Sequence, residues 1–374
     1  MSASTIRLGA LPRNVHPVAW WIWALGLATA ATWTTNPLLL LLILATAGVV
    51  VAARRTDSPW GRSFRVYLAL GAVVVAIRIV FRVLLAGGGD TTVFGLPELS
   101  LPSWLTGVTV GGPVTLEALL AGLYDGLRLG TMLVCVGAAN ALANPKRLLR
   151  AVPGALYEMG TVLVVAASMG PQLAQSSERV RRARRLRGVP TEGLAGLRSL
   201  VVPVLEDAFE RSLRLAAAMD SRGYGRRQAV AARHRRTTAA LVVAGVLGIS
   251  IGAYVLLDPT GTGDIGVPVL AVGVLSGVAG LWSGGRYVET TRYRPDPWTW
   301  PEWAVVLAGV TAAVGVVASG RLQPGSLAPS VAPPTWPELP VLAAVAVLIA
   351  VVPALVTPAP PSAPRAAAIP EVAA

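Results

Sequence analysis

Residues 37–53 read Pro-Leu-Leu-Leu-Leu-Leu-Ile-Leu-Ala-Thr-Ala-Gly-Val-Val-Val-Ala-Ala, and Arg54 and Arg55 follow at once. The run carries no charge, and its length is close to what a helix needs to cross a hydrocarbon core of ~30 Å. It does not alternate, so it is not a half-buried strand. It is apolar around its whole circumference, so it is not the one-sided helix of a soluble domain. A helix of this composition finds its solvent in lipid.

Seven further runs of the same kind lie outward from it, at 18–34, 66–86, 115–140, 238–257, 267–284, 302–319 and 340–357. Together they predict an all-α fold class: a polytopic membrane helix bundle of about eight spans. The composition agrees, since 54% of the 374 residues are hydrophobic and 14% charged, against ~25% charged in a soluble domain. A soluble globular chain, a disordered chain and a collagen-like chain are all excluded. Cys135 is the single cysteine, which excludes an internal disulfide and a cysteine-based zinc site. Only Thr35 and Asn36 separate the first run from Pro37, and this spacing predicts a tight helical hairpin. A cleavable leader is the competing reading of the first run, with Arg7 and Arg13 before it and Ala28, Ala30 and Ala31 near its end; the hairpin loop argues against it.

Orientation follows from the basic residues. Arg54, Arg55, Arg62 and Arg65 fill one connection, 87–114 has no Lys or Arg, 145–236 is strongly basic, 258–266 has none, and Arg286, Arg292 and Arg294 come next. The positive-inside rule then predicts that the amino terminus and the tail are both cytoplasmic. Residues 145–236 hold eighteen Lys/Arg against seven Asp/Glu, most of the chain's net charge of +13. A basic patch of this size can mark nucleic-acid binding, but in a polytopic chain retention on the inner side and attraction to anionic lipid explain it, and no nucleic-acid partner is expected. The predicted organisation is an N-terminal membrane bundle over 1–144, a cytoplasmic helical insertion over 145–236, C-terminal spans over 237–357 and a Pro/Ala-rich disordered tail over 358–374. Within the insertion, 155–170 is apolar but short and contains Glu158. It reads as a helix packed on the cytoplasmic side of the bundle, because a crossing there would place the arginines of 179–187 outside.

Two helical patterns follow, from Gln172 to Arg187 and from Val204 to Arg222, and each ends in Arg-Gly. In the second, Leu205, Ala208, Ser212, Leu215, Met219 and Arg222 recur at spacings of 3 and 4, the seam of one helix face; in the first, Leu173, Ser177, Val180, Ala183 and Arg187 do the same. A single arginine before a helix-ending glycine is ordinary capping. Two of them, 35 residues apart on the same predicted side, make a pair of forked hydrogen-bond donors at the tips of two rods, suited to carboxylate or carbonyl groups on a two-fold partner.

At these residues the chain resembles the transmembrane T component of energy-coupling factor (ECF) transporters, over roughly residues 14–257. The resemblance rests on Asn14-Val15-His16-Pro17, Asn36-Pro37, Gly126-Leu127-Arg128, Gln172-Leu173 with the run to Arg187-Gly188, and Val202-Pro203-Val204-Leu205-Glu206 leading to Ala216-Ala217-Ala218-Met219-Asp220-Ser221-Arg222-Gly223-Tyr224-Gly225. In the family the two motifs read Ala-Arg-Gly, end cytoplasmic coupling helices and insert into grooves on two ATP-binding-cassette ATPase subunits. Carried over, Arg187 and Gly188 stand on the first motif and Arg222 and Gly223 on the second, with Leu186 and Ser221 where the family has Ala. The resemblance implies a non-catalytic permease subunit of the cell (cytoplasmic) membrane, without cofactor, metal or catalytic residue of its own. It would link the two ATPases to a small membrane S component for uptake of a vitamin or a transition-metal ion. The spans after residue 257 lie outside the resemblance.

Charges inside the spans are expected to pair. Counting from the helix ends sets Arg82 beside Glu117 and Arg78 beside Asp125, a clamp between the third and fourth spans in preference to an ion path. Gly261-Thr262-Gly263-Asp264-Ile265-Gly266 spells a dinucleotide-binding pattern but falls between two spans, not after a strand. Trp20, Trp21, Trp23, Trp298, Trp300 and Trp303 read as an interfacial aromatic belt, and Arg292–Pro297 as a stiff cytoplasmic turn. Two other classes compete. A membrane enzyme of lipid-linked transfer would need clustered acids, and Glu206, Asp207 and Glu210 read more simply as a solvated helix face; a stand-alone carrier would show internal repeats, and none is evident.

Overall fold

The computed structural model describes residues 13–56, 63–85, 88–99, 110–150, 157–187, 193–223, 232–257, 263–286, 298–323 and 325–360. Along the chain these form α1 (Pro17–Thr32), α2 (Pro37–Arg54), α3 (Phe64–Leu84), β1 (Thr92–Leu99), β2 (Val110–Thr115), α4 (Leu116–Leu142), α5 (Pro145–Arg150), α6 (Tyr157–Leu186), α7 (Gly193–Ser221), α8 (Ala232–Leu257), α9 (Gly263–Arg286), α10 (Trp300–Leu322), α11 (Val341–Ile349) and α12 (Val352–Val356). This is the polytopic helical bundle that the apolar runs predict. Among the described residues six helices are long and apolar enough to cross a membrane: α2, α3, α4, α8, α9 and α10.

The first and eighth expected spans are shorter. Helix α1 has 16 residues, closed at its start by His16, whose Nδ1 accepts from the Val18 amide at 3.3 Å. The eighth run breaks into α11 and α12, because Pro353 has no N–H to offer the carbonyl one turn before it. The connection after α3 holds an antiparallel hairpin that the apolar pattern did not announce. Thr92 pairs with Thr115 and Leu96 with Gly112, and the register shifts twice along the pair. Gly111 and Gly112, at φ +90° and +100°, take a backbone conformation that side chains with a Cβ avoid.

Contacts gather the chain into two units, residues 1–148 with 295–374, and residues 149–294. In the first unit α1, α2, α4 and α10 share one core, with Trp23, Leu27, Leu39, Ile43, Val134, Val305 and Val316 buried in it. The late helices are therefore integral to this unit, although they come last in sequence. Leu327, in the connection before α11, accepts through its carbonyl from the Thr35 amide at 2.9 Å, the Asn36 amide at 3.1 Å and the Thr34 hydroxyl at 2.8 Å. Asn36 caps α2 with its Oδ1 and donates from Nδ2 to the carbonyls of Ser326 (3.1 Å) and Glu338 (2.6 Å). The tight hairpin of α1 and α2 is thus closed by a segment some 290 residues away. At the far end of α2, Arg54 donates twice to the Ala354 carbonyl, at 3.1 and 2.6 Å.

Trp20 and Trp23 are not part of an interfacial belt. Both are buried, edge to face with ring centroids 5.9 Å apart, and the Trp23 indole donates to the Ala350 carbonyl at 3.0 Å. That carbonyl is free to accept because the helix breaks there. Trp300 and Trp303, at the start of α10, are exposed as a belt requires.

In the second unit α8 and α9 pack backbone to backbone, with Gly245 against Gly277 and Gly248 against Gly273, the close approach that small residues permit between membrane helices. Gly263–Gly266, the described part of the dinucleotide-like pattern, opens α9; Gly261 and Thr262 lie outside the described residues. The outward sides of both helices are apolar, with Val246, Leu247, Val272 and Leu275 exposed.

Candidate functional site

Helices α6 and α7 are 30 and 29 residues long, and neither is apolar enough to be a candidate span. The apolar piece at 155–170 and the basic pattern after it join in one helix, since α6 runs without interruption from Tyr157 through position 171 to Leu186. Helix α7 likewise runs through Pro203, starting eleven residues before the expected Val204. Pro203 removes one backbone hydrogen bond from α7, and the helix continues through it.

Asp207 joins the two helices. Its carboxylate accepts from the Ser176 hydroxyl and from Arg179 Nη2 (3.3 Å), both on α6, and from Arg211 Nε (3.1 Å) on its own helix. Ser176 is buried at this crossing. The Ser176 hydroxyl, then the Arg211 bond and the charges of Arg211 and Arg179, hold the Asp207 carboxyl below the usual carboxylate range. Asp207 is therefore an interhelical clasp and not a residue of a solvated face. Glu210 keeps to the surface, paired with Arg214 one turn on. Of the expected seams, Ser177 and Val180 on α6 and Ala208, Leu215 and Met219 on α7 lie on half-buried faces, whereas Leu173, Ala183, Leu205 and Ser212 are exposed.

Both arginines stand where the helices stop. The Arg187 amide donates to the Arg184 carbonyl at 3.0 Å, the Arg222 amide to Met219 at 3.1 Å and the Gly223 amide to Asp220 at 2.9 Å. Gly223 has φ +75°, the left-handed turn that ends a helix and that only glycine adopts without strain. Arg187, Arg222, Ser221 and Leu186 are all exposed, Leu186 by 89%. Gly188, and Tyr224 with Gly225, lie outside the described residues, as does the Arg292–Pro297 turn. On the outer side of α7, Val202, Leu205, Glu206, Phe209, Glu210 and Leu213 line a shallow apolar groove of about 570 Å³, a surface no described residue covers.

Inside the first unit the charge pairing differs from expectation. Arg82 Nη2 meets Asp125 Oδ2 at 3.4 Å, not Glu117. Glu117 turns instead to Thr91 at the root of the β hairpin, accepting from its amide at 3.2 Å and from its hydroxyl. The reason is a glycine seam on α4. Gly130 lies against Gly71, Gly126 against Val75 and Arg78, and Gly122 against Arg82, so the backbones set the depth and Glu117, five residues beyond Gly122, falls about 7.5 Å past the level of Arg82. No described residue pairs with the Arg78 guanidinium.

The motif residues near the start of the chain also have partners. Arg128 donates to the Thr32 carbonyl and so closes the end of α1 from α4. Arg147 reaches the carbonyls of Val15 (3.3 Å) and Asn14 (3.4 Å). Glu302, wholly buried, accepts from Arg13 Nη2 at 3.1 Å, the His16 amide at 3.3 Å, and the amide and hydroxyl of Thr299 at 3.0 and 2.7 Å. The sequence reading passed over Glu302. Its one signal was the Thr299-x-x-Glu302 spacing of a capping box.

The fold and the site define a multi-pass helical membrane protein with two long amphipathic helices outside the candidate spans, each ending in an exposed arginine. The cobalt transport protein family, CbiQ, matches residues 10–231, and the chain belongs to it: it is a membrane component of the ECF transporter class. The energy-coupling factor transporter transmembrane protein EcfT of Exiguobacterium sibiricum is 32% identical over 93 residues, 23% of this chain and 34% of that protein. The chain thus aligns with about a third of the length of that relative. Helices α8 to α12 lie beyond the residues the family matches.

Proposed function

We propose that the protein is the energy-coupling subunit of an importer, linking two ATP-binding-cassette ATPases to a small substrate-binding membrane S component for uptake of a vitamin or transition-metal ion. The observation that carries this reading is the pair α6 and α7, clasped through Asp207 and Ser176 and each ending in an exposed arginine, Arg187 and Arg222. An exposed guanidinium at a helix end is a forked donor for a groove on a partner. The clasp lets a push on either tip reach the other helix, as coupling to a closing ATPase dimer requires. The apolar groove on α7 supports a protein partner along this helix, since isolated apolar patches on helices outside the membrane core mark interaction surfaces. In this reading the chain carries out no chemistry, both termini and α6–α7 face the cytoplasm, and ATP hydrolysis belongs to the partners.

The test is co-purification. Arg187→Ala combined with Arg222→Ala is expected to leave the membrane protein folded and to remove the ATPases, because anchor truncation at an interface costs about 2–4 kcal/mol. Recovery of the ATPases at the level of the unmodified protein defeats the proposal.

A further inference from the structure

Among the described residues helix α3 packs against α4, along the glycine seam, and touches β2 at a few positions. Around the rest of its surface Val66, Leu68, Leu70, Val73, Ile77, Val80 and Phe81 are exposed, which in a spanning helix is a surface for acyl chains. Two guanidinium groups interrupt it. Arg78 and Arg82 are one turn apart, both exposed, and an arginine left without a partner on a lipid-facing surface is strongly unfavourable. Asp125 answers only Arg82, at 3.4 Å and itself partly exposed. No described residue answers Arg78, although its Cβ is held against Gly126 and its carbonyl against Gly122. The bundle fixes the backbone of Arg78 and leaves its charge open.

We infer that Arg78, Arg82 and Asp125 form a binding site for the phosphodiester of one anionic phospholipid, in the leaflet at the β-hairpin end of α3. Depth and charge both select this ligand. Arg82 lies two residues and Arg78 six residues before the last residue of α3, or about 3 and 9 Å along the axis. Arginine stems extend outward toward the headgroup level, so both guanidinium groups reach the phosphates while their stems stay among acyl chains. Two forked donors one turn apart can share one phosphate. The formal charge of the three side chains is +1, matched by one phosphodiester. A zwitterionic headgroup would bring an ammonium beside Arg78. A carboxylate on a partner helix would have to be desolvated on an apolar surface first, whereas a lipid phosphate already lies at this depth.

The inference is independent of the ATPase partners, and the full-length protein tests it alone. Native mass spectrometry of the detergent-purified chain with equal phosphatidylglycerol and phosphatidylethanolamine is expected to show one phosphatidylglycerol retained in preference. Arg78→Gln should lower that retention roughly fivefold, the loss of one forked ion pair. Because the Arg78 guanidinium pairs with no described residue, this variant should keep the lipid-free unfolding temperature, and it decides the matter if Arg82→Gln does not fold. Equal retention of the two lipids, or phosphatidylglycerol held as tightly by Arg78→Gln, overturns the site. Stabilisation by inorganic phosphate equal to that by lipid overturns the lipid assignment. A photo-crosslinker at Val80 that captures a protein in cells in place of lipid overturns it in favour of a partner helix.

Discussion

Gly26 of α1 lies directly on Gly309 of α10: a Cβ at Gly26 would stand 2.3 Å from the Gly309 carbonyl oxygen, and one at Gly309 would stand 2.4 Å from the Trp23 Cα. The obstructing atoms are backbone, so no rotamer change makes room. The contact joins a helix inside the family match to one beyond it. Gly309→Ala is expected to destabilise the protein by about 1–3 kcal/mol, the range for overpacking a fixed contact. A detergent melting curve that superimposes on that of the unmodified chain refutes the packing argument.

Glu302 of α10 holds the segment just before α1. Glu302→Ala leaves the amides of His16 and Thr299 without their carboxylate acceptor and takes from the partly exposed Arg13 its charge partner, and a hydrogen bond lost to a charged group costs about 1.5–3 kcal/mol. Glu302→Gln keeps one acceptor oxygen, enough for Arg13 and Thr299, and turns a donor toward the His16 amide, so it should lose less than alanine and more than nothing. Thermal unfolding of the two variants side by side reads the order, and a glutamine variant no better than alanine would count against the network.

Asp207 makes the α6–α7 clasp depend on pH. Its carboxyl is depressed in the folded state, so its contribution is fully present above the unfolded value of ~3.9 and fades as pH falls through the lower folded value. The distance distribution between spin labels on α6 and α7 should stay unchanged from pH 8 to 5 and broaden only in stronger acid. Asp207→Asn should show the broad distribution at neutral pH. Broadening of the unmodified protein near pH 6 would point to another group.

Gly223 sets the direction of Arg222. At φ +75° an alanine is strained by about 1–2 kcal/mol, and the last turn would relax by re-aiming the arginine. Gly223→Ala should therefore weaken ATPase association while the bundle melts as before. A variant that binds ATPase normally would show that Arg222 needs no fixed exit angle.

The membrane class, the helix positions and the two arginine-tipped ends were all legible in the linear chain. Runs such as 37–53 signal lipid by composition, and Ser221-Arg222-Gly223 signals a helix end by local chemistry. Reach and register were not legible. The expected patterns began at Gln172 and Val204, yet α6 and α7 start well before them and run through both positions. Arg82 pairs with Asp125 and not Glu117 because Gly71, Gly122, Gly126 and Gly130 let two backbones meet and so fix the depth. Trp23 looked like an interfacial residue until the break before Pro353 supplied its indole with an acceptor.

Local order in the chain, its hydropathy period and its caps come from interactions within a few residues, and the sequence alone determined these. Only the tertiary structure decided that Asn36 is held by carbonyls at 326 and 338, that Glu302 answers Arg13, and that Asp207 clasps Ser176. Each of these joins groups far apart in the chain, and their meeting depends on how closely helices can approach. Side-chain volume at a few glycines sets that distance, and no local pattern records which glycine faces which.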